Sequence, residues 1–70
     1  MLIEFQRAAD YRPPTWPAPE RPQMFHLDFE VDDLEAAHDR AVGLGARPLD
    51  ERASFRVYAD PAGHPFCLCR

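Results

Sequence analysis

Seventy residues with a formal net charge of -4 make one small domain, and a domain of this size buries only about 60% of its unfolded surface. The acidic balance, with eight Lys+Arg residues that are all arginine and scattered, argues against a nucleic-acid or anionic-membrane partner. No apolar run approaches the roughly 20 residues that cross a bilayer and no signal-peptide pattern opens the chain, so a cytoplasmic protein is expected.

Met1 to Arg7 reads as a short leading strand, with Ile3 and Phe5 on one face and Glu4 and Gln6 on the other. Residues 8–23 follow as a connector, in which Tyr11 to Pro22 carries five of the eight prolines. Proline removes backbone donors and pushes its predecessor toward extended geometry, so this stretch is a stiff crossover. Trp16 within it is expected to cover an apolar patch. The module proper spans 24–70. Met24 to Val31 alternates: Phe25, Leu27, Phe29 and Val31 face one way, and Met24, His26, Asp28 and Glu30 the other. One set should pack under a helix, and the other should meet water or a cleft.

Asp32 and Glu35 form a capping box. Leu34, Ala37, His38, Ala41 and Val42 fall at helical spacing, and Gly45 supplies a left-handed stop, which predicts a helix over 33–44. Packing with one nitrogen satisfied is expected for His38. Arg47 to Asp50 reads as a strand and Ser54 to Ala59 as another, with Phe55 and Val57 opposed to Arg56 and Tyr58. The run Asp60-Pro61-Ala62-Gly63 is a turn, since proline presets one backbone angle and glycine relaxes another. His64 is expected to be solvated in that turn. The last strand carries Cys67 and Cys69 on one face. Their two-apart spacing suits neither a disulfide nor a zinc knuckle, so reduced thiols are expected.

The resulting order is a leading strand, a Pro-rich crossover and βαβββ, an α+β arrangement. Together with Asp60-Pro61-Ala62-Gly63-His64-Pro65-Phe66 and the histidine-bearing strand, it resembles one module of the vicinal oxygen chelate superfamily of glyoxalases, bleomycin-resistance proteins and ring-cleaving dioxygenases. The resemblance covers essentially the whole chain. It implies a curved mixed sheet with one helix on one face, and a cup completed by a second module. It also implies a divalent metal, with His26 at a ligand position and Glu4 resembling the glutamate that closes a preceding module. Cys67 stands where the family pattern has a further glutamate. Exchange of carboxylate for thiol disfavours a hard cation and removes an oxygen base.

Three functions follow from these expectations. The first is a small-molecule-binding protein whose cup is lined by His26, Asp28, Glu30, Arg56, Tyr58 and Cys67. The second is a metal-dependent lyase or dioxygenase, and the third a non-catalytic fragment or interaction module. A core of this size supplies about 3–5 kcal/mol by itself. A partner is therefore expected, either a second copy in a homodimer that exchanges the leading strand or the missing half of a protein twice as long.

Overall fold

The computed structural model describes all residues, 1–70, and its elements are β1 (Leu27–Glu30), α1 (Leu34–Gly43), β2 (Arg47–Glu51), β3 (Phe55–Ala59) and β4 (Pro65–Cys69). They form a four-stranded mixed sheet in the order β1-β4-β3-β2, with β1 parallel to β4 and the other pairs antiparallel. The single helix makes the crossover between β1 and the rest of the sheet. This is the α+β, βαβββ arrangement read from the sequence.

The capping residue of α1 is Asp33, not Asp32: its Oδ1 accepts from the Ala36 N–H at 3.1 Å, and its backbone is extended. The helix stops where expected. Ala46 N–H reaches the Ala41 carbonyl and Gly45 N–H that of Val42, each at 3.0 Å, while Gly45 turns to φ +107°. Those two bonds satisfy carbonyls that the helix end would leave bare.

The tight turn also forms. Gly63 N–H bonds the Asp60 carbonyl at 2.8 Å, and Asp60 Oδ1 accepts from Ala62 and His64 N–H. Gly63 sits at φ +94°, and a Cβ there would lie 2.9 Å from Pro13 Cβ. Hence the connector folds down onto this turn, an approach that the Tyr11 hydroxyl reinforces by donating to the Ala62 carbonyl at 2.8 Å.

Under the helix, Leu34, Tyr58 and Leu68 form the core, with Val31, Ala37, Ala41, Ala46 and Phe66 packed around them. Full burial of each leucine contributes roughly 1.5–3 kcal/mol. Tyr58 is wholly buried and stacks on Phe66 at 5.4 Å between centroids. Its hydroxyl meets His38 Nδ1 at 2.7 Å, which gives that helix histidine the partner it was expected to have.

Residues 1–7 lie outside the chain's own four-stranded sheet. One expectation fails. The first strand of the module begins at Leu27, since Met24 to His26 still belong to the connector.

Candidate functional site

The strand register decides which side chains share a face. Asp28 lies opposite Cys67, and Cys67 opposite Val57, so these three project from the side of the sheet away from the helix. Glu30, Cys69 and Phe55 follow on that same side, one step along. His26, two residues before Asp28, points the same way and closes on the thiol. Its Nε2 is 3.1 Å from Cys67 Sγ and 3.3 Å from Asp28 Oδ1.

Gln23 completes the group. Its Oε1 lies 2.9 Å from His26 Nδ1. An amide oxygen only accepts, so Nδ1 donates to Gln23, while Nε2 faces both the Cys67 thiol and the Asp28 carboxylate. Trp16 sets its ring edge toward His26 with centroids 6.4 Å apart. Sequence reading missed Gln23, because only the folding of the connector brings it beside the imidazole.

Burial and the Asp28 carboxylate push the Cys67 thiol up to about 11, so at neutral pH it is protonated. Burial, with Asp28 and Glu30, also raises the Cys69 thiol. Both cysteines are free.

Arg56 and Tyr58 do not belong to this face. Tyr58 is paired with Phe66 and Arg56 with Leu68, both on the helix side. Arg56 forms an ion pair with Glu35 of the helix and lies 3.2 Å from Glu51 through Nε, which is not directed to make a hydrogen bond. The Glu35 hydrogen bond holds Arg56 above its usual range and Glu35 below. These two residues fasten the helix to the sheet, which corrects their assignment to the cup.

Glu4 is likewise elsewhere. It borders a cleft of about 480 Å³ with Phe5, Tyr11, Phe25 and His64. His64 is half-buried there rather than solvated, with Nδ1 3.1 Å from Asp60 Oδ2 and its ring 5.3 Å from that of Tyr11.

Potential ligand atoms of His26, Asp28 and Cys67 all lie within 4.8 Å of one another. This donor set of one imidazole, one carboxylate and one thiol does not fit the hard cation implied by the family pattern. Magnesium and manganese take oxygen ligands, and two such positions are missing once Cys67 replaces a glutamate and Glu4 is absent. A thiol-tolerant ion such as zinc matches the three donors better.

No helix is long and apolar enough to cross a membrane. A search of the curated proteins and of the solved structures finds no match. The family profile of the glyoxalase-like domain, by contrast, matches residues 1–69, the span that carries both the βαβββ order and the His26 face. The chain therefore belongs to the glyoxalase-like domain family.

Proposed function

We propose that this protein is a small-molecule-binding member of the glyoxalase-like domain family, with its ligand lying on the sheet face opposite the helix. The observation that carries this reading is the convergence of His26, Asp28 and Cys67 on that face, with the Trp16 ring edge-on to the imidazole. Such a face offers an acceptor, a carboxylate and an apolar wall, the small polar set that orients a ligand in an otherwise apolar pocket. A single module presents a wall rather than an enclosure, so the cup is closed by a second module, here a second copy.

Trp16 is the sole tryptophan and reports directly on the face. Titration with catechol, which carries two vicinal oxygens, and with bleomycin should change Trp16 fluorescence saturably for at least one. His26→Ala should weaken that binding by about tenfold or more, a loss of roughly 1.4 kcal/mol. Superimposable wild-type and His26→Ala curves for both compounds would remove the face from consideration.

The metal-dependent reading is tested separately. Protein dialysed against manganese and then against buffer should retain none by elemental analysis, because the donor set lacks the carboxylates that manganese requires. Stoichiometric manganese that disappears in His26→Ala would overturn this and favour a metal-dependent lyase or dioxygenase.

A further inference from the structure

We propose that Cys67, His26 and Gln23 act as nucleophile, base and positioning residue in the covalent capture of small α,β-unsaturated carbonyl compounds on Cys67. The geometry has the order that activates a weak nucleophile. The thiol lies within reach of an imidazole nitrogen, and the other ring nitrogen is held by a fixed acceptor. The spacings are 3.1 Å for Sγ to Nε2 and 2.9 Å for Nδ1 to Gln23 Oε1.

Asp28 determines how this relay works. Burial disfavours a standing thiolate, and the Asp28 charge acts in the same direction. The same carboxylate lies 3.3 Å from Nε2, on the side of the ring that meets the thiol. Proton transfer to His26 therefore accompanies attack instead of preceding it, as in a hydroxyl nucleophile served by a histidine.

The class of electrophile follows from the surroundings of the sulfur. Cys67 lies on β4, which is paired on both sides, so its backbone amides are committed to the sheet and form no oxyanion hole. Acyl transfer lacks the support it needs. Conjugate addition needs only a base and a proton donor. The sulfur bonds the β-carbon as the carbon–carbon π bond breaks, the electron pair moves toward the carbonyl, and the imidazolium returns the proton to the α-carbon. Nothing is oxidised or lost, and a thioether remains. Cys67 is only 8% exposed, which restricts capture to small reagents.

Cys69 is the internal control, since it shares the strand and face but touches no imidazole. Acrylamide at neutral pH with a chelator present, followed by peptide mass mapping, should modify Cys67 faster than Cys69. His26→Gln should slow Cys67 about 100-fold and leave Cys69 unchanged, and Gln23→Leu should slow Cys67 by a smaller factor. An unfolded variant would label both cysteines equally, so the Cys69 rate separates misfolding from a lost base. Preferential labelling of Cys69, or an unchanged Cys67 rate in both variants, overturns the proposal. The inference uses the residues of the proposed ligand face but not reversible binding: Trp16 titration can fail while capture persists, and the reverse.

Discussion

Two thiols and two phenols, Tyr11 and Tyr58, are raised on folding and set the alkaline behaviour of the protein. Cys67 moves from a usual 9.0 to about 11 on folding because burial and Asp28 oppose the thiolate. In the unfolded chain it loses its proton near pH 9, while the folded protein keeps it. Stability from this group is thus complete below pH 9 and declines as pH rises toward 11. Tyr58 acts in the same direction above pH 10, since burial raises its phenol. Denaturant melts at stepped pH should show stability falling from about pH 9 upward, and Cys67→Ala should flatten the early part of that fall. An identical profile in the variant would remove the thiol as its source.

The phenol also carries a direct cost. Tyr58→Phe keeps the ring stacked on Phe66 but removes the hydrogen-bond partner of the half-buried His38 Nδ1. Loss of about 0.5–1.5 kcal/mol in urea melts is expected for the lost hydrogen bond.

Among the elements, the helix start gives the clearest test. The box spacing of Asp32 and Glu35 is visible in sequence, yet Asp33 makes the capping bond. Aspartates stand at both positions, and the two starts differ by one residue of chain path, which only the exit from β1 resolves. Asp33→Ala should cost about 1 kcal/mol, whereas Asp32→Ala should cost a few tenths at most. At the β3–β4 turn, Gly63→Ala meets both a positive φ and the Pro13 Cβ at 2.9 Å. Destabilisation beyond the roughly 1 kcal/mol of the backbone change alone is expected.

For the whole molecule, the imbalance lies between a small core and a large apolar surface. Eight residues are buried, while Met1, Leu2, Ile3, Phe5, Met24, Phe25 and Phe29 are exposed on the N-terminal side. The two sheet edges differ as well. β2 carries Pro48, Arg47, Asp50 and Glu51 with an irregular register, devices that discourage further pairing. β1 has no proline and a regular register, and it leaves Phe29 exposed beside its free edge. A dimer through β1 is the expected assembly. Light scattering at micromolar concentration should give twice the chain mass, and Phe29→Lys should return it to the monomer. A well-folded wild-type monomer would dismiss this arrangement.

Helix spacing, the Gly45 stop and the Asp-Pro-Ala-Gly turn were legible in the sequence because each depends on residues within one or two turns of chain. The alternation of His26, Asp28 and Glu30 was legible too, and the strand register sets Asp28 and Glu30 on one face beside Cys67 and Cys69. Alternation in β3 was equally plain, but it does not say which set meets the helix, since Val57 and Tyr58 are both buried. Pairing with β4 decided it, by setting Val57 against Cys67 and Tyr58 against Phe66. Contacts across 41 residues, such as His26 to Cys67, arise only when strands distant in sequence are brought into register, and the folded connector alone brings Gln23 to the imidazole.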